Sequence, residues 1–422
     1  MKIMQGYQFR LEPKHKHLSQ LNQALGANRF IWNKLLAMNL FRLQNKQSIL
    51  WYNEMAWFIA LWKKSDEYDF LNLAPSQSLQ QTAKALERAF KDAFDKNQPN
   101  KRIPTFKRLG KNEAGIKYPQ GVLLDSGNSV IKLPKLGWVK YRNSGKVLGK
   151  IKNVTISRKS GYFTLSIQTE RELQTPIHQS KTAVGIDMGI VHFATLSTGE
   201  QIAPINSFKQ LSETLAKAQR KLKHKVKFSA NWQKQQAKVR KLHMTIANVR
   251  NNFLHQTSSA ISKNHAMIVM EDLKVVNMSR SNKGTTEAHG KQVAQKSGLN
   301  RSILDQGWGE FRRQIEYKQS WAGGITLFVP ARHTSQTCHA CGHVDKDNRK
   351  TQDEFVCTAC GYTENADINA AKNILVRGHQ VLSGNDQQTK KQNRGTRGVS
   401  LRSESRQRSA TETNLTQSLQ AA

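Results

Sequence analysis

Over the first fourteen residues, Ile3, Tyr7, Phe9 and Leu11 show a partial two-residue alternation. That spacing predicts a strand, stopped by Pro13. From Leu18 to about Gln47 the apolar positions are Leu18, Leu21, Leu25, Phe30, Trp32, Leu35, Leu36 and Leu40, a helical spacing. A second helix is predicted after Pro75-Ser76, where Leu79, Ala83, Leu86, Phe90 and Phe94 share one face. Its other face carries Lys84, Arg88, Lys91 and Lys96, an ordinary solvated face or a contact surface in equal measure. Residues 98–180 alternate short apolar runs with Gly, Pro and Asn. The clearest hairpin there joins Val154 and Ile156 to Phe163, Leu165 and Ile167 through SRKSG. A helical insertion (15–97) inside one β domain (1–14 and 98–180) is therefore expected.

A new unit opens after Pro176 with KTAVGIDMGIVHFATLSTGEQI, two apolar runs and a turn at Ser197–Glu200. Lys209 to Arg250 is helical in pattern, with twelve Lys/Arg and the single acid Glu213. Leu242, Ile246, Val249 and Phe253 carry its apolar stripe on toward Asn264. A buried strand is predicted at Ala266–Met270, a mobile loop over 279–300, a helix over Trp308–Trp321 and a strand at Ile325–Val329. A last helix should end near Val376. Residues 377–422 are mostly Gln, Ser, Thr, Arg and Gly, too poor in apolar surface to offset chain entropy, and are expected to be disordered.

Charge changes the picture. The 422 residues hold 66 Lys and Arg against 30 Asp and Glu, a formal net charge of +36. Such an excess points to a polyanionic partner, nucleic acid first and a membrane surface second. The longest fully apolar run is MAWFIALW at 55–62, far short of the roughly 20 residues a spanning helix needs. With no apolar segment ahead of its first charges, the chain is expected to be cytoplasmic, nucleoid-associated and free of disulfides. The basic stretch Lys217–Lys241, with Phe228 and Trp232, is the candidate nucleic-acid grip: Lys217, Arg220, Lys221, Lys223, Lys225, Lys227 and Trp232. Lys101, Arg102, Lys107, Arg108 and Lys111 form a second basic cluster.

All four cysteines lie in one short segment with the spacing C-x2-C-x15-C-x2-C, from Cys338 and Cys341 to Cys357 and Cys360. Two such pairs supply four thiolates to one tetrahedral ion. Gly342 and Gly361 follow the second Cys of each pair, where a tight turn calls for positive φ. Four thiolates also bind iron, but zinc suits a redox-silent structural role better. With no open coordination position, that ion is not catalytic.

Catalytic chemistry must then come from elsewhere. Asp187 sits in AVGIDMG, Glu271 closes AMIVMED, and Asp367 lies in ENADINAAKNIL. Singly, each has a bland explanation: a strand-end turn acid, a strand reaching solvent, or a helix-start acid capped by Asn365. Together they fit phosphodiester hydrolysis between two divalent ions, for which two or three carboxylates suffice as Mg²⁺ ligands. A strand Asp, a strand-end Glu and a helix Asp, in that order, match the layout of RNase H-type nucleases.

At these motifs the chain resembles the TnpB (OrfB) proteins of bacterial insertion sequences, relatives of the type V CRISPR effectors. The resemblance covers about residues 1–376 and rests on YQFRLEP, GANRFIWNKLL, LERAFKDAF, GIDMGIVHFATLS, VMEDLKV and TSQTCHACG…FVCTACGYTENADINAAKNIL. It implies a multidomain α+β protein with three parts. These are a wedge-like β-barrel (1–14 and 98–180), a helical recognition domain (15–97), and an RNase H-like (RuvC) α/β nuclease domain (181–376) with an inserted zinc ribbon (334–364). It further implies an RNA-guided DNA endonuclease whose guide RNA comes from the transposon end, and which cuts double-stranded DNA beside a short flanking motif. Asp187, Glu271 and Asp367 would be its catalytic acids, Mg²⁺ its catalytic ion and Zn²⁺ its structural one. A monomer with RNA is expected, and no membrane. A compact type V effector, a non-cleaving guided regulator and a DNA-joining transposase are the rivals.

Overall fold

A computed structural model describes residues 2–109, 115–174, 176–285, 288–351 and 353–384. Two compact units divide between Gln174 and Thr175.

In the first unit β1 (Lys2–Glu12) leads into α1 (His15–Gln44), α2 (Tyr52–Trp62) and α3 (Ser76–Phe94), with a 3-10 segment at Asp66–Leu73. The chain then returns as β2 (Ile116–Tyr118), β3 (Leu123–Asp125), β4 (Val130–Leu133), β5 (Gly137–Arg142), β6 (Lys150–Lys159) and β7 (Tyr162–Glu172). These strands form one sheet in the order β2-β6-β7-β1-β5-β4-β3. The N-terminal strand thus lies mid-sheet, paired antiparallel with β7 from Lys2↔Glu172 to Arg10↔Thr164 and with β5 from Arg10↔Arg142 to Glu12↔Lys140. The sheet keeps two edges, β2 and β3, so it is a half-barrel rather than a closed one. Alternation works as the pattern requires: Ile3, Phe9 and Leu11 are buried while Lys2, Gln8 and Arg10 are exposed. Phe9, Leu165 and Ile167 join Leu35, Leu86 and Phe90 of the helices in one core. Inside it, Asn28 of α1 bonds Ser78 (2.9 Å) and Thr82 (3.0 Å) of α3.

The sequence pattern does not predict α2. MAWFIALW is apolar all round and carries no period to separate helix from strand. In the fold Met55, Ile59 and Trp62 are buried, while Trp57 and Leu61 remain exposed. Of the second basic cluster, Lys111 lies outside the described residues.

The second unit begins with β8 (Ala183–Asp187), β9 (Ala194–Leu196) and β10 (Gln201–Ile202), then α4 (Ser207–Lys223) and α5 (Ala230–Asn264). It continues through β11 (Met267–Glu271), α6 (Val275–Met278), α7 (Val293–Gln306), α8 (Trp308–Ala322) and β12 (Ile325–Val329). The cysteine segment, with β13 (Glu354–Val356) and β14 (Thr363–Asn365), precedes α9 (Ala366–Leu382). The main sheet runs β10-β9-β8-β11-β12. In it β8, β11 and β12 are parallel, and β9 and β10 antiparallel. On one face Val184, Ile186, Ile268 and Met270 pack on Leu254 and Ile261 of α5 and Phe311 and Ile315 of α8. On the other, Met267 and Val269 pack on Ile374 of α9. Among the described residues no helix is long and apolar enough to cross a membrane.

Three boundaries differ from expectation. The loop expected over 279–300 gives way to helix from Val293. Local polarity suggests coil there, but Ile303 is drawn into the core and Asp305 accepts hydrogen bonds from the start of α4. The basic stretch from Lys209 is two helices, turning back at 224–229. The disorder expected from residue 377 is overturned for its first turns: α9 runs to Leu382, with Val381 and Leu382 against the α9-side core. Residues 385–422 of that expected tail lie outside the described residues.

One glycine controls how β8 meets α9. A Cβ on Gly185 would stand 2.1 Å from the Ala371 carbonyl oxygen and 2.7 Å from the Leu375 nitrogen, so only glycine lets the two backbones touch. Overpacking of this kind costs about 1–3 kcal/mol. Gly185→Ala should therefore lower the melting temperature by about 3–10 °C, measured by thermal unfolding. An unchanged midpoint would mean that α9 shifts freely.

Candidate functional site

Strand alternation and parallel register together place the acids. Val184 and Ile186 face the α5/α8 side, so Gly185 and Asp187 face α9. Likewise Ile268 and Met270 turn one way, and Met267, Val269 and Glu271 the other. Because Met270 pairs with Ile186 in a parallel ladder, Glu271 lies one step on, beside Asp187. Both acids thus sit on one face at the C-terminal ends of neighbouring strands, where open α/β sheets form their ligand crevices. The third acid arrives with α9. Asn365 caps that helix, its Oδ1 accepting from the amides of Asp367 (3.1 Å) and Ile368 (3.2 Å), which fixes Asp367 in the first turn.

The three carboxylates feel one another. Burial pushes the Asp187 carboxyl up to about 7, the negative charges of Glu271 and Asp367 push the same way, and Arg349 opposes them. Burial also raises Glu271, against a hydrogen bond from Thr334 and the charge of Arg377. Thr334 Oγ1 donates to Glu271 Oε1 at 2.6 Å, and Arg349 Nη2 lies 3.1 Å from Asp367 Oδ1. The neighbouring Asp272 is committed elsewhere, to Arg312 (2.6 Å) and Lys274 (2.5 Å). Among the described residues only the four cysteines bring three or more ligand atoms within 4.8 Å of one another. The acids are therefore an open, oxygen-only set with surplus negative charge, a donor chemistry that fits a hard divalent cation.

The cysteine segment repeats one device twice. The Cys338 amide bonds the His343 carbonyl and the Cys357 amide the Tyr362 carbonyl, each at 2.8 Å. Gly342 and Gly361 close the turns at φ 76° and 74°, the positive values their positions call for. Cys338 Sγ lies 3.7 Å from Cys360 Sγ, and Cys341 Sγ 3.6 Å from Cys357 Sγ. These gaps are far longer than a disulfide bond. They match the edges, about 3.8 Å, of a sulfur tetrahedron around zinc with bonds of about 2.3 Å. The cluster thus fits a structural zinc ion.

Side chains that sequence reasoning missed join this cluster to the acids. Asn369 Nδ2 and Asn373 Nδ2 both donate to the Thr337 carbonyl (2.9 and 2.6 Å), and Asn373 also to that of Thr334 (3.0 Å). Asn369 Oδ1 accepts from the His339 amide at 3.0 Å. The face of α9 just behind Asp367 thus grips the chain that runs from Thr334 into the first knuckle. The available signal was two asparagines four residues apart on a stripe otherwise made of Ala366, Ala370, Ala371 and Ile374. Arg349 and Thr334 gave no comparable signal.

The basic candidates lie apart, on α4 and α5. Lys217 and Lys221 face Lys238 and Lys241 across one groove. Lys225 and Lys227 lie in the turn, Trp232 packs its ring against Phe228 at 5.4 Å, and Arg220 and Lys223 are exposed on α4.

Compared with protein families, residues 166–282 match the model described as "Probable transposase" (OrfB_IS605), and residues 308–374 match "Cas12f1-like, TNB domain". Residues 1–47 match "Helix-turn-helix domain", although β1 and the single helix α1 occupy that range. The chain is 50% identical over 383 residues to "Putative RNA-guided DNA endonuclease InsQ" of Escherichia coli K12, covering 91% of this chain and 94% of that one. It is 30% identical over 384 residues to "Putative RNA-guided DNA endonuclease" of Streptomyces pristinaespiralis, covering 89% and 90%. The solved structure of the mini-RNA-guided endonuclease CRISPR-Cas_phi3 aligns with TM-score 0.50 at 11% identity, over 89% of this chain and 92% of that one. That last likeness is one of fold alone.

Two outcomes follow from the geometry. Asp187 titrates higher in the folded chain than in the unfolded one, so its stabilising contribution is full below pH about 4 and is lost as pH rises through about 7. In magnesium-free buffer, Asp187→Asn should flatten that decline in melting temperature and be more stable than wild type in mild alkali. A variant with the wild-type slope would contradict the placement of Asp187. Replacing Cys357 and Cys360 with Ser should abolish stoichiometric zinc in elemental analysis and lower the thermal midpoint, whereas full zinc retention would dismiss the thiolate site.

Proposed function

The chain belongs to the TnpB (OrfB) family of insertion-sequence proteins, and we propose that it is a transposon-encoded, RNA-guided DNA endonuclease. It cuts double-stranded DNA beside a short flanking motif by hydrolysing phosphodiester bonds. What supports the site is the placement of Asp187 and Glu271 at neighbouring strand ends, with Asp367 in the first turn of α9 paired to Arg349, near enough that the charges of Glu271 and Asp367 add to burial in raising Asp187 to about 7. In this reading the second unit is the RuvC-like nuclease (181–376), its cysteine segment (334–364) is a zinc ribbon, and the three acids are its catalytic residues. The half-barrel strands of the first unit, which ends at Gln174 rather than at the expected residue 180, are the wedge, and α1–α3 are the recognition helices (15–97). What supports the RuvC-like assignment is the chain order of acids: a strand end, the next strand end, then a helix start.

Magnesium held by these carboxylates would supply Lewis acidity at the attacked phosphate. The chain's own groups prepare the place. Thr334 holds one oxygen of Glu271, and the charge of Arg377 acts on the same carboxylate. Arg349 orients Asp367 through Oδ1 and offsets part of the clustered negative charge. The asparagine grip of α9 on residues 334–339 keeps Thr334 and Asp367 in fixed relation, so the ribbon supports the site rather than performing chemistry.

Sequence selection falls to base pairing by the guide RNA, which leaves the protein to hold a heteroduplex by backbone and shape. The +36 charge suits that task. Lys217, Arg220, Lys221, Lys223, Lys225, Lys227 and Trp232 are the nucleic-acid contacts we assign. A cytoplasmic, nucleoid-associated location follows from such partners.

The test uses purified protein with its copurifying RNA. Wild type should cut matched duplex DNA when magnesium is supplied, and Asp187→Ala should lose cleavage by at least about a thousand-fold while retaining RNA. Equal cutting by both would refute the site. Wild type that binds matched DNA but leaves it intact would be a guided regulator instead.

A further inference from the structure

The α4–α5 hairpin carries charge and apolar surface that the cleavage site does not use. Lys217, Lys221, Lys238 and Lys241 line one groove, and among the described residues none of them meets a carboxylate. The hairpin has a core of its own, Leu215, Val239 and Ile246. Asp305 ties its base, accepting from Ser207 Oγ (3.0 Å) and the Phe208 amide (2.9 Å) and pairing with Arg250 (3.5 Å).

At the opposite end, Val226 and Phe228 are 79% and 69% exposed, flanked by Lys225 and Lys227. Phe228 adopts φ +70°, an uncommon conformation for a bulky aromatic. It is held there by two bonds: Gln233 Nε2 donates to its carbonyl (3.0 Å), and Ser229 caps α5 by accepting from the Trp232 amide (3.2 Å). The Phe228 ring leans on Trp232. The tip is thus a preset aromatic wedge rather than a loose turn.

Its partner must satisfy both features. Unpaired lysines in a groove favour a polyanion, and an exposed apolar pair calls for an apolar surface to cover it. On a nucleic acid, base faces supply the broadest such surface, and an intact duplex keeps them in its stack. They are open at strand ends and where paired strands part, which is where guided opening of DNA leaves them.

We propose that the α4–α5 hairpin is an arm for the junction between paired and unpaired DNA: its four-lysine groove seats one sugar–phosphate backbone while Val226 and Phe228 stack on the base opened at the junction. This rests on nucleic acid being the partner under the proposed function.

The experiment measures fluorescence anisotropy of the full-length protein on two labelled DNA probes of equal paired length, a duplex closed at both ends by ethylene-glycol linkers and a fork closed in the same way at its paired end. The fork carries 2-aminopurine at its first unpaired position. Phe228→Ala should weaken fork binding about ten-fold and lose the 2-aminopurine quench, with duplex binding within about two-fold, and Phe228→Trp should restore both signals. Changing Lys217, Lys221, Lys238 and Lys241 together to Gln should weaken both probes and flatten the log–log salt slope by about three. Wild-type fork affinity and quench in Phe228→Ala, or an unchanged salt slope in the lysine variant, would overturn the arm. So would vesicles of anionic phospholipid losing affinity for the variants while both DNA probes kept theirs. Guided cleavage is assayed beside binding. Protein that shows the expected fork behaviour but cuts nothing refutes the nuclease and leaves the arm standing. Protein that cuts, with Phe228→Ala unchanged in every signal, refutes the arm alone.

Discussion

Helix α9 lies against β8 with backbone nearly touching backbone, because Gly185 offers no Cβ to hold them apart. The position of that one helix sets the rest of the second unit's chemistry. The face of β8 that bears Gly185 also bears Asp187, so the helix that comes close at the glycine brings Asp367 to the acid two residues on. Further along, Asn369 and Asn373 hold the chain entering the first cysteine knuckle, and Thr334 in that chain reaches Glu271. Each such hydrogen bond contributes only about 1 kcal/mol net, but leaving one of these buried groups unpaired costs about 1–3 kcal/mol. The set therefore resists partial rearrangement, and the cysteine segment becomes a rigid extension of the acidic site.

Electrostatics gives that rigidity its purpose. Two carboxylates at neighbouring strand ends and a third in the first turn of α9 repel one another, and desolvation adds to the cost. Arg349 and Arg377 offset part of it, leaving a site that binding a cation would relax. The α4–α5 hairpin shows the opposite imbalance: among the described residues its groove lysines form no ion pair with a carboxylate. Isolated, each is a local defect in charge balance. Under the proposed function, a nucleic acid with its accompanying divalent ions would resolve both, phosphates meeting the lysines and metal ions the acids. The strongly positive chain as a whole is consistent with that division.

The sequence carried more of the site than of its supports. Asp187, Glu271, Asp367 and the four cysteines stand out because strand-end acids and C-x2-C pairs obey short spacing rules. The strands and helices with a clear period, such as β1, α1, α3 and β7, were readable for the same reason. Segments without a period were not: α2 is apolar on every side, α7 is polar enough to pass for coil, and the last turns of α9 look like the tail beyond them. Arg349 and Thr334 were silent because their significance lies in what faces them, at separations of 18 and 63 residues.

From the sequence alone came the family resemblance, the thiolate metal cluster, the three acids and the polyanionic partner, all of which depend on residue type and near-neighbour spacing. Only the tertiary structure decided that Gly185 admits α9, that Arg349 turns onto Asp367, and that the basic stretch doubles back into a hairpin with an aromatic tip. Those depend on distances through space between residues far apart in the chain, and no local pattern encodes them.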